Sequence, residues 1–114
     1  MPPIKPTMRE KKRYVLFALE SEAPLNEETV KRGTYAALIS FLGEYGASLA
    51  SPKFIGYRAS DNLGVLRCDH EEVEKVKAAL ALCRTIDGKK VAFRLKKVSG
   101  TILSLNSGFE KEKE

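Results

Sequence analysis

An α+β sandwich is the fold class the sequence predicts, with elements in the order β-α-β-β-α-β, an antiparallel sheet and two main helices on one face. Three observations predict it. Apolar residues recur at spacings of three and four in two segments, residues 27–45 and 71–82, as one face of a helix requires. Runs rich in β-branched and aromatic residues flank those segments. Turn-forming residues, Ser60-Asp61-Asn62-Leu63-Gly64, separate the second and third runs, as in a hairpin. This is the ferredoxin-like split β-α-β pattern, which RNA-recognition domains share. At 114 residues the chain is long enough for one domain and too short for two.

Residues 12–20 read as the first strand. The run from Tyr14 to Leu19 is apolar on both faces, which suits a central strand covered on both sides. Asn26 reads as a helix cap, with Glu27 and Glu28 favourably placed in the first turn. Val30, Thr34, Ala37, Leu38, Phe41, Leu42 and Tyr45 then mark the buried face of a helix that Gly46 ends. Residues 47–52 read as a loop, 53–60 as a second strand and 65–69 as a third. Asp69, with Glu72 three residues on, resembles a capping box for the second helix, whose inner face carries Val73, Val76, Leu80 and Cys83. Asp87-Gly88 turns the chain into a fourth strand, residues 90–98. Alternation along it sends Val91, Phe93 and Leu95 toward the helices and Arg94 and Lys96 away. Residues 99–105 extend that strand or begin a short terminal element.

Charge divides the chain into a basic, proline-containing arm (1–13), a domain (14–105) and a charged tail (106–114). The net charge is +5. The arm holds Lys5, Arg9, Lys11, Lys12 and Arg13 against Glu10, a balance of +4. The domain holds 13 bases and 11 acids, and the tail two bases and three acids. With Pro2, Pro3 and Pro6, the arm has the composition of an extended segment. A second basic cluster, Lys89, Lys90, Arg94, Lys96 and Lys97, contains no acid. Two such clusters in a small protein point to a polyanion, most often nucleic acid. No apolar run approaches the ~18 residues of a membrane span. No secretory signal is visible, so the expected location is cytoplasmic.

The residues give little support to an enzyme. Cys68 and Cys83 read as small buried hydrophobes. The single histidine, His70, stands at a strand-helix corner beside Asp69 and Glu71, without the third group that would orient a nucleophile-base pair. No spaced carboxylates or Cys/His pairs offer a metal cage, so neither metal nor cofactor is expected. An acylphosphatase-like enzyme of this fold would carry an arginine in the first β-α loop. That loop, Ser21-Glu22-Ala23-Pro24-Leu25, has neither base nor glycine. Base stacking on the sheet is also weakly supported, because the third strand has no aromatic residue and Phe17 can lie on either face. Charge is the better basis for binding. The candidates are Arg67, Arg94, Lys96 and Lys97 on the sheet and Lys11, Lys12 and Arg13 on the arm, all suited to phosphates rather than to base edges.

Four segments carry a family resemblance: Arg13-Tyr14-Val15-Leu16-Phe17, Phe41-Leu42-Gly43-Glu44-Tyr45-Gly46-Ala47, Gly64-Val65-Leu66-Arg67-Cys68 and Ser99-Gly100-Thr101-Ile102. In this order they resemble archaeal ribonuclease P protein component 2, over about residues 13–102. The resemblance implies a non-catalytic subunit of the RNA-based endonuclease that removes the 5′ leader of precursor tRNA. It implies ribonuclease P RNA as the principal partner, with precursor tRNA met in the holoenzyme. It also implies ribonuclease P protein component 3 as a protein partner, and self-association at the centre of a heterotetramer. The competing readings are a ferredoxin-like regulatory domain or small enzyme acting without RNA, and a translation-associated RNA binder.

Overall fold

The computed structural model describes residues 11–100. Strand β1 (Lys12–Ser21) leads to helix α1 (Glu27–Ala50), the hairpin β2 (Lys53–Arg58) and β3 (Leu63–Asp69), helix α2 (Val73–Leu82), and a second hairpin of β4 (Thr85–Ile86) and β5 (Lys89–Ser99). The strand order is β2-β3-β1-β5-β4, and every pairing is antiparallel. Parallel β1 and β2 are thus separated by β3, and β3 and β5 by β1. This is the split β-α-β arrangement the sequence predicts.

Both helices pack on one face of the sheet. There Val15, Phe17 and Leu19 of β1 meet Leu66 and Cys68 of β3, Phe93 of β5, and Val30, Leu38, Val76 and Leu80 of the helices. Phe17 belongs to this face and is fully buried, its ring 5.1 Å from that of Phe93. Burying side chains of this size contributes roughly 1.5–3 kcal/mol each. A smaller cluster, Leu16, Leu63 and Val65 with Tyr14 and Ala18 against it, lies on the opposite face. No helix residue takes part in it. A first strand apolar on both faces leads us to expect cover here from a terminal segment, a second copy or component 3; the terminal segments lie outside the described residues 11–100.

Helix α1 starts as predicted, with the Asn26 carboxamide accepting from the Thr29 amide at 2.8 Å. Its end departs from expectation. The backbone leaves the helical region at Gly43 (φ 78°, ψ 168°), three residues before Gly46, and helix resumes to Ala50. Residues 47–50 are therefore helical, not loop. The apolar stripe does not continue through the break: Ala47 and Ala50 resume contact with the core, while Phe41 is 47% and Tyr45 79% exposed. Both were expected inside. Val30, Ala37, Val73, Val76 and Leu80 are buried as expected.

Asp69 does cap a helical turn, but its carboxylate accepts from Glu71 at 2.9 Å rather than from a residue three positions on. A short 3-10 turn, His70–Glu72, intervenes before α2. The Asp87-Gly88 turn has positive φ at both positions (51° and 78°), the geometry that lets two strands meet with matching twist. It creates β4, a two-residue strand absent from the sequence reading.

The outer edge of the sheet is β2. Its Phe54 amide donates to the Tyr35 hydroxyl at 2.7 Å, and its Tyr57 amide to Glu27 Oε2 at 3.1 Å. Both acceptors come from α1.

Candidate nucleic-acid interface

The face of the sheet away from the helices carries most of the charged candidates, and the strand registers arrange it in rows. Asp69 stands opposite Lys12. The next row runs Lys53, Arg67, Tyr14, Ser99. The following row holds Val65, Leu16 and Lys97, and the one after it Arg58, Leu63, Ala18 and Arg94. Glu20 and Ala92 complete the face.

Two bulges decide who belongs to it. In β2, Phe54 pairs with Leu66 and Gly56 with Val65, so Ile55 is an extra residue. In β5, Leu95 pairs with Phe17 and Lys97 with Leu16, so Lys96 is extra. Each extra residue resets the alternation. Strict alternation would send Lys97 toward the helices along with Leu95. The bulge instead sets it opposite Leu16, on the face away from the helices.

The predicted residues fall in separate places. Arg67 lies in the Tyr14 row and Arg94 in the Ala18 row, four residues apart along β1, or about 13 Å at ~3.3 Å per residue. The row between them holds Val65 and Leu16, with Lys97. Arg67, Arg94 and Lys96 therefore do not form the single cluster that alternation suggests. Arg94 donates to Glu20 Oε1 at 3.1 Å, and this hydrogen bond, then the carboxylate's charge, raises its already high pKa. Lys96 and Lys97 are exposed. Lys12 and Arg13, grouped with the arm by charge, are the first residues of β1, which begins at residue 12 as the strand reading expects. The Arg13 guanidinium donates to the Lys12 carbonyl at 3.1 Å. Lys11 is exposed, and its carbonyl accepts from the His70 amide at 2.8 Å. Lys53, which the sequence reading did not select, stands directly opposite Arg67.

The chemistry elsewhere is that of a packed scaffold. Cys68 and Cys83 are buried. Burial, followed by the charge of Asp69, pushes the Cys68 thiol up from 9.0 to about 11, the reverse of nucleophile activation. His70 Nδ1 lies 3.5 Å from Asp69 and 3.2 Å from the Lys11 carbonyl. Among the described residues no three His, Cys, Asp or Glu side chains converge as a metal site would require. No helix of these residues is long and apolar enough to cross a membrane. The first β-α loop is tied to β5: Glu22 Oε1 accepts from the Lys90 amide at 3.0 Å. The cleft beside that loop, about 280 Å³ and lined by Ser21, Glu22, Leu25 and Tyr57 among others, contains a carboxylate and no cation. An acyl phosphate would be repelled there.

The Rpp14/Pop5 family model matches residues 13–109. The chain belongs to the Rpp14/Pop5 family. Among its relatives, ribonuclease P protein component 2 of Thermococcus gammatolerans is 40% identical over 106 residues, spanning 93% of this chain and 88% of the relative. The protein of the same name from Pyrococcus abyssi is 39% identical over 93% of this chain and 90% of its own length. That of Methanocaldococcus jannaschii is 37% identical over 87% and 72%. A chain in the cryo-EM structure of yeast ribonuclease MRP shares the fold, with a TM-score of 0.66 over 96% of this chain and 95% of its own, at 17% identity. The Rpp14/Pop5 member described here therefore has the ferredoxin-like α+β fold its sequence predicts.

Proposed function

We propose that this chain is a protein subunit of ribonuclease P, the RNA-based endonuclease that removes the 5′ leader of precursor tRNA. It binds and stabilises the catalytic RNA and does not itself carry the chemistry. The observation that carries this reading is the 40% identity, over 93% of the chain, to a relative named ribonuclease P protein component 2. The basic residues of the face away from the helices and of the start of β1 support the RNA-binding part. Arg67, Arg94, Lys96, Lys97, Lys11, Lys12 and Arg13 neutralise phosphates in this reading, and sequence is not read. Its place of work is the cytoplasm.

The partners are ribonuclease P RNA, precursor tRNA within the holoenzyme, and ribonuclease P protein component 3. Two copies of this chain join two such heterodimers. Apolar side chains exposed around the Gly43 break, Ile39, Phe41, Tyr45 and Leu49, support protein contacts of this kind.

Reconstitution tests the function. Ribonuclease P RNA and component 3 are assembled with and without this chain, and cleavage of precursor tRNA is followed. Faster cleavage with the chain is expected, and none from the chain alone. Equal rates with and without it would overturn the subunit role. Cleavage by an RNA-free preparation would overturn the non-catalytic part.

A further inference from the structure

We propose that Lys53 and Arg67 together form a binding site for one RNA backbone phosphate on the face of the sheet away from the helices. This deepens the ribonuclease P reading and rests on it.

The β2–β3 register places the two residues directly opposite each other. Side chains so placed have Cβ atoms about 4.5–5.5 Å apart, and like charges in that position destabilise a sheet. Among the described residues no acid pairs with either of them. Arg67 makes no ion pair with any described residue, and its Nε is buried without a hydrogen-bond partner. Elsewhere on the face acids are supplied: Arg94 has Glu20, and Arg58 has Asp61. The nearest acid along β3 is Asp69, which stands opposite Lys12 and already accepts from the Glu71 amide. Arg58 Nε is buried without a partner too, so what sets Arg67 apart is the facing cation and the lack of an acid among the described residues; such a pair is completed by an anion, held by the outer guanidinium nitrogens and the Lys53 ammonium.

The two side chains suit a tetrahedral oxyanion. The planar guanidinium offers parallel N–H donors to two oxygens, and the ammonium adds a mobile point charge. Tyr14, on the other side of Arg67 in the same row, offers a hydroxyl and an aromatic wall. Val65 and Leu16, 4% and 7% exposed, fill the next row and lower the local dielectric, which strengthens the attraction. A phosphodiester presents two unesterified oxygens and one charge, and it is the repeating group of the polymer that the proposed function supplies.

Because both residues serve one phosphate, their effects are not additive, and this separates a built site from diffuse charge. The test titrates full-length protein with ribonuclease P RNA across a series of KCl concentrations. Lys53→Ala and Arg67→Ala should each lower the slope of log affinity against log salt by about one, and the double variant by about one rather than two. Arg67→Lys should keep the slope and weaken binding several-fold, since it keeps the charge and loses the fork. In protein without RNA, Lys53→Ala should melt at or above the wild-type temperature at low salt, because it removes the facing charge. It is exposed, so its folding is not in question. An unchanged slope in both single variants, with wild-type protein binding RNA, would overturn the site and leave the function standing. A slope loss of two in the double variant would overturn the shared phosphate. Unchanged RNA binding with loss of a protein subunit from the reconstituted particle would assign the pair to an acidic protein instead. Failure of the wild-type chain to bind this RNA at all would overturn the functional reading and the site with it.

Discussion

Gly64→Ala is the smallest change that tests the packing of the two central strands. Gly64 of β3 pairs with Phe17 of β1, and the ring lies across the glycine. A Cβ added at Gly64 would sit 2.4 Å from Phe17 Cζ and 2.8 Å from Cε2, well inside van der Waals contact. The ring has little room to retreat, since it is fully buried and rests against Phe93 at 5.1 Å. Overpacking of this kind costs roughly 1–3 kcal/mol. Replacing glycine also restricts the unfolded chain, which returns about 0.4–1 kcal/mol. A net loss of about 1–2 kcal/mol follows from those two ranges. With a urea m-value of about 1–3 kcal/mol/M, the midpoint should fall by about 1 M. Equilibrium unfolding followed by circular dichroism measures it. Phe17→Leu in the same chain should relieve the clash, giving a coupling of about 1 kcal/mol or more between the two sites. A midpoint equal to wild type, or strictly additive single and double variants, would refute the packing argument.

Leu38→Ala should cost about 2–5 kcal/mol, whereas Phe41→Ala, at a half-exposed position, should cost clearly less; urea midpoints rank them. Glu20→Gln should strengthen binding of ribonuclease P RNA in the salt titration, because it leaves Arg94 free of its carboxylate partner. Tyr35→Phe should lower stability by about 1 kcal/mol in the same urea assay, since the Phe54 amide loses its acceptor. Cys68 is held protonated up to about 11 in the native protein, against 9.0 ordinarily. The unfolded thiol therefore ionises first, and its contribution to stability is intact below pH 9 and lost between about pH 9 and 11. Cys68→Ala should flatten that part of the pH profile.

Much of the fold is legible in the sequence because its signals are local. The Asn26 cap, the spacing of Val30, Thr34, Ala37 and Leu38, and the Asp87-Gly88 turn each fix their element within a few residues. What was missed depends on pairing. β4 has two residues and no period to detect. The break at Gly43 rather than Gly46 cannot be told from spacing, because the apolar stripe reads on past Gly43 to Tyr45 and makes Gly46 the natural stop. The interface is less legible still. Counting back by twos from buried Tyr57 places Lys53 on the helix side, and the extra residue at Ile55 reverses that. The same reversal at Lys96 carries Lys97 to the face away from the helices. A bulge is set by how two strands meet, and neither strand announces it alone.

The two α1 side chains that bind β2 amides bear on how this protein joins other molecules. A bare outer strand is a template on which a foreign strand can add, in productive complexes and in aggregates alike. Here Tyr35 and Glu27 already occupy amides along that margin, and at the other margin β4 is only two residues long. Recognition by backbone ladder is thereby discouraged along β2. β4 covers only Lys89 and Lys90 of β5, so beyond them β5 has no strand on its outer side among the described residues, and that margin keeps the ladder mode of recognition. At the β2 margin, assembly into a larger particle falls to side chains, and partner choice depends on charge and shape rather than on main-chain hydrogen bonds, which any extended peptide can supply.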